Sequence, residues 1–264
     1  MIPKDTELTA FGVAVIESLP SSECQTGTKL FYDILQPLQA TDSTLFYELY
    51  SVSSVEEFKE TIRVIIRKHK KHELIALHIE AHGCEEGAQL SSGELLSWKE
   101  FLDCCRNVNE EMCGLLVVTT AMCYSISLIA AVNPALRAPF KAIIITRRDV
   151  TVDEILRGYT EYFMVYRNCL DIGPAKEAMR KEVNSGTIET SPFEMITSEW
   201  LFDEITNPDR DPAAFQQITN IKFCELKAKD SSYTRERVDK EIRDFFHSLA
   251  ENGKDYYTFA DYWK

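Results

Sequence analysis

Two residues that can carry out thiol chemistry, His82 and Cys123, each follow directly on an apolar segment typical of a buried β-strand. These segments are Leu74–Ala81 and Leu115–Met122. Because neighbouring parallel strands end at the same edge of an α/β sheet, we expect the two side chains to lie close together. A histidine beside a cysteine can take the thiol proton and so create the nucleophilic thiolate. The pattern therefore predicts a catalytic dyad, with His82 as base and Cys123 as nucleophile.

The main chain around these two residues suits the same chemistry. Tyr124–Val132 is predicted to be a helix, and the positive end of its dipole would favour a thiolate at Cys123. Gly83 has no side chain, so its N–H can approach a substrate carbonyl closely and form an oxyanion hole together with the N–H of Cys123. The alternative is that Cys123 is a core residue and His82-Gly83 a turn, in an unrelated doubly wound binding protein.

The elements that must position these residues follow from strand-like and helix-like segments, which alternate over the first two-thirds of the chain. Five β-strands are predicted, at Gly12–Ile16, Leu45–Val52, Leu74–Ala81, Leu115–Met122 and Ala142–Thr146. A glutamate three residues after a serine or threonine predicts helix starts at Ser54, Ser97 and Thr151. This alternation predicts an α/β fold with a mostly parallel sheet and helices on both faces.

The composition changes after residue 184, where the alternation stops and long helices are predicted. We therefore expect one domain over residues 1–184 and a mainly helical extension over residues 185–264, packed on or beside it. The last residues, 256–263, are rich in aromatic side chains, which we expect to cover a core rather than to bind a partner.

The composition also argues against several classes of function. A net charge of −13 leaves no basic excess to neutralise phosphates, so nucleic acid is not an expected partner. No apolar stretch approaches a membrane span and no signal peptide is visible, so we expect no membrane association and a cytoplasmic location. In that setting the eight cysteines are expected to be reduced thiols. No glycine-rich phosphate loop follows a predicted strand, so no cofactor is expected.

Two acidic residues at strand ends are candidates for binding substrate. Glu17 stands at the end of the first strand and Asp149 follows the fifth, and either could select a basic side chain of a substrate. The alternatives are a surface carboxylate for Glu17 and a helix-cap role for Asp149. No metal site is expected, because His78 and His82, four residues apart on one strand, would be separated by about 13 Å. No residue that would orient His82 is identifiable from the sequence.

A strand ending in His-Gly, then a helix, then a strand ending in Cys resembles the caspase-like cysteine peptidases. Within that group the chain most resembles the CHAT branch, relatives of caspases and separase, over roughly residues 10–184. Four stretches carry the resemblance: Leu77–Gly83, Gly87–Leu96, Val117–Ser125 and Leu170–Arg180.

The resemblance implies a caspase-like fold and peptide-bond hydrolysis through a thioester on Cys123, with His82 as its partner. It further implies limited cleavage of a protein or peptide substrate, activation by a partner protein or by homo-oligomerisation, and a role in bacterial antiviral defence. Met122 stands where CHAT members have a small residue before the nucleophile. A catalytically inactive scaffold or regulatory protein of the same fold is therefore the alternative.

Overall fold

The structure is a computed structural model that describes residues 11–41, 45–69, 74–184, 191–207, 209–210 and 212–262. Its centre is a sheet of eight strands in the order β2-β1-β3-β6-β7-β8, with β4 paired to β3 and β5 to β4. In chain order the strands are β1 Phe11–Ser18, β2 Leu45–Ser51, β3 Leu74–Gly83, β4 Gly87–Gln89, β5 Leu95–Ser97, β6 Val117–Ala121, β7 Ala142–Thr146 and β8 Phe193–Thr197. The pairs from β2 through β7 are parallel, and β3-β4-β5 is antiparallel.

The helices of the described residues flank this sheet or follow it. They are α1 Thr26–Leu30, α2 Gln36–Thr41, α3 Val55–Lys68, α4 Trp98–Glu111, α5 Val152–Cys169, α6 Ile172–Asn184, α7 Ser198–Ile205, α8 Pro212–Lys229, α9 Arg235–Asn252 and α10 Lys254–Tyr257. A π-helical stretch, Phe31–Leu35, joins α1 to α2. The predicted starts of α3, α4 and α5 are confirmed, because the side chains of Ser54, Ser97 and Thr151 each accept a hydrogen bond from a main-chain N–H of the first turn.

The core lies on both faces of the sheet. Strands β1, β6 and β7 are buried along their whole length, which explains why they are continuous apolar runs rather than alternating ones. The helix α5 contributes a row of buried rings, among them Tyr159, Tyr162 and Phe163. The α/β class with a mostly parallel sheet is therefore as predicted. Within the described residues, no helix combines the length and the apolar character needed to cross a bilayer.

The chain divides into two compact units, Met1–Val132 with Pro139–Ile196, and Asn133–Ala138 with Thr197–Lys264. The expected boundary after residue 184 falls next to residues 185–190, which lie outside the described part of the chain. The sheet continues beyond this boundary, because β8 is one of its strands. Helices α7 to α10 belong to the second unit, where Tyr257 and Phe259 of the aromatic tail are buried.

Candidate active site

The register of two neighbouring strands brings the predicted dyad to one edge of the sheet. Strand β3 pairs with β6 in parallel, with Ala76 opposite Val117 and Glu80 opposite Ala121. Continued by two residues, the same register leads to His82 beside Cys123. The sequence prediction that the two strand ends are neighbours thus agrees with the sheet order.

The main chains of Gly83 and Cys123 are in close contact. A Cβ atom built on Gly83 would overlap the carbonyl oxygen of Cys123 and lie 3.0 Å from its carbonyl carbon and 3.1 Å from its nitrogen. Only glycine fits here without a shift of the chain. Gly83 pairs with Ala88 of β4, and the next residue, Cys84, donates its N–H to the Gly87 carbonyl over 2.9 Å. Because bonded and non-bonded positions alternate in an antiparallel pair, the N–H of Gly83 points away from β4.

Cys123 lies in a tight turn directly after β6. Tyr124 has a φ of 53°, in the left-handed region, and a 3₁₀ helix over Ser125–Ala131 follows. The helix predicted over Tyr124–Val132 is therefore present as a 3₁₀ helix that begins one residue later, because Tyr124 adopts the left-handed conformation. Met122 is fully buried in the core, whereas Cys123 is partly exposed. The Met122 side chain therefore lies away from the exposed surface around the sulfur.

A buried cluster of hydroxyl groups holds this turn. The hydroxyl of Thr146 donates a hydrogen bond to the carbonyl oxygen of Met122. The main-chain N–H of Thr146 donates to Oγ of Ser125 over 2.8 Å. Ser125 Oγ also lies 2.8 Å from Oγ1 of Thr120. These bonds tie the turn to the ends of β6 and β7, so they fix the main chain on both sides of Cys123. These residues were not among the predicted site residues, and their only signal in the sequence is that small hydroxyl side chains stand at or just after the ends of apolar strands.

The surroundings of the Cys123 thiol favour its protonated form. Burial raises the pKa of Cys123 above its ordinary value, and a hydrogen bond to the Asp149 carboxylate raises it further, whereas the N–H of Val150 acts in the opposite direction. Asp149 thus lies at the thiol. The N-cap of α5 is Thr151, which forms a capping box with Glu154. The alternative prediction, in which Asp149 caps the helix, is therefore wrong.

The two arginines before Asp149 each pair with a glutamate. Arg147 forms an ion pair with Glu194, and Arg148 contacts Glu154 over 2.7 Å. Nη1 of Arg148 also donates a hydrogen bond to the main-chain carbonyl oxygen of Asp149 over 2.7 Å.

His82 has a carboxylate partner that sequence reasoning missed. Its Nε2 lies 2.9 Å from Oε2 of Glu23, and both side chains are about half exposed, at 48% and 44%. Glu23 follows β1, whose last residue, Ser18, pairs with Ala81 of β3. The signal available in the sequence was only that a loop after one parallel strand lies near the end of its neighbour.

Glu17 is buried rather than at the surface, so the surface alternative for it is wrong. Its Oε1 accepts hydrogen bonds from the N–H groups of Gly27, over 2.8 Å, and Thr28, over 3.1 Å. Its Oε2 accepts from the Thr28 hydroxyl over 2.5 Å. These bonds satisfy the free N–H groups at the start of α1. Because both oxygens already accept hydrogen bonds within the chain, the proposed site does not include Glu17.

A second buried carboxylate continues the same network. Glu80 stands opposite Glu17 in the sheet, accepts from the Thr26 hydroxyl, and lies 2.8 Å from Nε2 of His78. Nδ1 of His78 is in turn 2.8 Å from the Thr119 hydroxyl. His78 is therefore a fully partnered core residue. In the part of the chain that the structure describes, no three or more His, Cys, Asp and Glu side chains are arranged to hold a metal ion.

Taken together, the described side chains can support nucleophilic chemistry at Cys123, with His82 and Gly83 at the adjoining strand end. Compared with known proteins, the chain matches no protein-family model, and no curated protein is similar enough to count as a relative.

Proposed function

We propose that this chain is a caspase-like cysteine endopeptidase of the CHAT branch that acts in the cytoplasm. His82 is the base, Cys123 the nucleophile, and the N–H groups of Gly83 and Cys123 form the oxyanion hole. Its substrate is a protein or peptide in which it makes limited cuts, and its setting is bacterial antiviral defence.

The chemistry requires only these groups and water. His82 takes the proton from Sγ of Cys123, and the sulfur forms a bond to the carbonyl carbon of the peptide. The C–N bond then breaks, and His82 returns the proton to the leaving amine. Water hydrolyses the resulting thioester, which releases the new carboxyl terminus and restores the thiol.

One observation carries the proposal, the contact between the main chains of Gly83 and Cys123. It supports a shared site because it joins the ends of two strands that each deliver one reacting side chain. The N–H of Gly83 points away from β4, which is the direction that an oxyanion role needs, since an N–H bound by β4 could not reach a substrate.

The surroundings of the thiol support an enzyme that is inactive at rest. Burial and the Asp149 carboxylate raise the pKa of Cys123, so the thiol prevails near neutral pH. A partner protein or a second copy that moves Asp149 away from the sulfur would lower this pKa and start activity.

The experiment is site-resolved alkylation of the reduced chain with iodoacetamide, followed by peptide mapping over time. We expect Cys123 to react, and we expect His82→Ala to slow that reaction without changing the rate at the exposed residues Cys169 and Cys224. Burial raises the pKa of Cys104 to about 11, so it serves as an unreactive internal reference. Equal rates at Cys123 in the parent and in His82→Ala would contradict the dyad.

The second candidate function is an inactive scaffold of the same fold. The raised pKa of Cys123, caused by burial and by the Asp149 carboxylate, favours it, because a thiol held in its protonated form is a poor nucleophile. Co-expression of the parent or Cys123→Ala with the proteins encoded beside it separates the two functions. Fragments formed only with the parent support the peptidase, and identical fragment patterns support the scaffold.

A further inference from the structure

We propose that Glu23 is the positioning residue of the site and completes a Glu23–His82–Cys123 triad. This inference rests on the proposed function, since it assigns a role toward His82 as base. Glu23 does not touch the reacting atoms. It acts through the imidazole, which it orients and whose positive charge it stabilises once the thiol proton has moved.

The contact itself has the geometry of a charge-assisted hydrogen bond, with 2.9 Å between Nε2 of His82 and Oε2 of Glu23. An imidazole has two ring nitrogens, and Glu23 occupies one of them. Only Nδ1 is then left to exchange a proton with Cys123. The carboxylate therefore selects the tautomer with the proton on Nε2, which is the form able to accept from the thiol.

The loop that carries Glu23 is held at its beginning. It leaves β1 at Ser18, whose hydroxyl accepts the N–H of Ser91 over 2.9 Å. Within the loop, the N–H of Glu23 donates to the Pro20 carbonyl over 2.9 Å, and the side-chain amide of Gln25 donates to the same carbonyl over 2.9 Å. The resulting turn fixes the main chain of Glu23, from which its side chain reaches His82.

The end of the loop is held by the two buried carboxylates. Glu17 binds the N–H groups of Gly27 and Thr28, and Glu80 binds the Thr26 hydroxyl. A Cβ atom on Gly27 would lie 3.2 Å from Oε1 of Glu17 and 3.3 Å from Cδ of Glu80, so α1 begins tightly against both. The buried network of Glu17 and Glu80 thus sets the distance from β1 to α1, and with it the place of Glu23.

In the proposed reaction the S–H bond of Cys123 breaks and an N–H bond forms on His82, which becomes a cation. The negative charge of Glu23 stabilises this cation. When the amine leaves, the same proton passes to its nitrogen, and the imidazole is neutral again. Glu23 neither gains nor loses a proton in this cycle.

The experiment compares iodoacetamide alkylation of Cys123 in the parent, Glu23→Gln and Glu85→Gln. Glu85 is an exposed residue of the turn after His82, and its substitution removes the same charge nearby. We expect Glu23→Gln to slow alkylation about three- to tenfold, since the pair is half exposed, and Glu85→Gln to leave it unchanged. Glu23→Asp should restore part of the rate.

A double substitution separates positioning from a general structural effect. In a His82→Ala chain, Glu23→Gln should have no additional effect, because Glu23 acts only through the imidazole. An equal slowing in both backgrounds, or equal rates for Glu23→Gln and Glu85→Gln, would overturn the inference while leaving the dyad intact. A Cys123 rate that does not depend on His82 would instead overturn the proposed function.

Discussion

Gly83 at the end of β3 lies directly against the main chain of Cys123, with no room for a Cβ atom between them. The contact joins the strand end that carries His82 to the turn that carries the thiol. It also explains why glycine follows the histidine, because any larger residue would push the two segments apart.

Gly83→Ala should destabilise the fold by about 1–3 kcal/mol, because the added methyl group overlaps the carbonyl oxygen of Cys123 and main-chain atoms must move. Urea unfolding measures the free energy. Gly173→Ala in α6 is the control, since the nearest atom to its Cβ is a side-chain oxygen at 3.3 Å. If both variants unfold at the same urea concentration, the contact is looser than described.

Asp149→Asn should make Cys123 more reactive at neutral pH. The Asp149 carboxylate raises the pKa of the thiol by a hydrogen bond and by its charge, so a neutral amide should lower that pKa. The alkylation profile of Cys123 would then move to lower pH by up to about one unit, a factor of about ten in thiolate at a given pH. If Asp149 instead activated the nucleophile, its replacement by Asn would make Cys123 less reactive.

The control for this prediction is Asp153→Asn, which removes the same charge from the first turn of α5. The Asp153 side chain is 72% exposed and pairs with Arg157 over 3.3 Å. Asp153→Asn should therefore leave the pH profile of Cys123 alkylation unchanged. A profile that does not move in Asp149→Asn would mean that burial alone raises the thiol pKa.

Thr146→Val should loosen the turn that holds the nucleophile. The substitution keeps the shape but removes the hydroxyl that donates to the Met122 carbonyl, which leaves a buried acceptor without that partner. We expect a loss of about 1–3 kcal/mol in unfolding free energy and slower alkylation of Cys123. Thr61→Val on α3 provides the matched control, and Thr146→Ser should retain most of the stability. An unchanged alkylation rate in Thr146→Val would mean that the Thr146 hydroxyl does not determine the position of the Cys123 thiol.

Much of the site is predictable from the sequence because its parts are local. Apolar runs before His82 and Cys123 identify two buried strands, and the alternation of strands and helices makes their ends neighbours. Glu23 is different. Its position depends on β1 lying next to β3, and a local pattern records which residues form a strand but not which strands pair.

The roles of Glu17 and Asp149 also required the structure. Both are acidic residues at or just beyond strand ends, so the sequence marks them alike. Glu17 turns inward to α1, while Asp149 lies at the thiol, and this difference follows from which element packs beside each strand end. The turn at Tyr124 was missed for a related reason, since a left-handed residue other than glycine or asparagine leaves little trace in composition.

Glu17→Ala should destabilise the first unit by about 2–4 kcal/mol, because the N–H groups of Gly27 and Thr28 lose a buried acceptor at the start of α1. Urea unfolding gives the free energy, with Glu56→Ala on the exposed face of α3 as control. The same variant should also slow alkylation of Cys123, because α1 holds the loop of Glu23. A large stability loss with normal alkylation would mean that the loop keeps its place without the buried carboxylate, and that the anchoring proposed for Glu23 lies elsewhere.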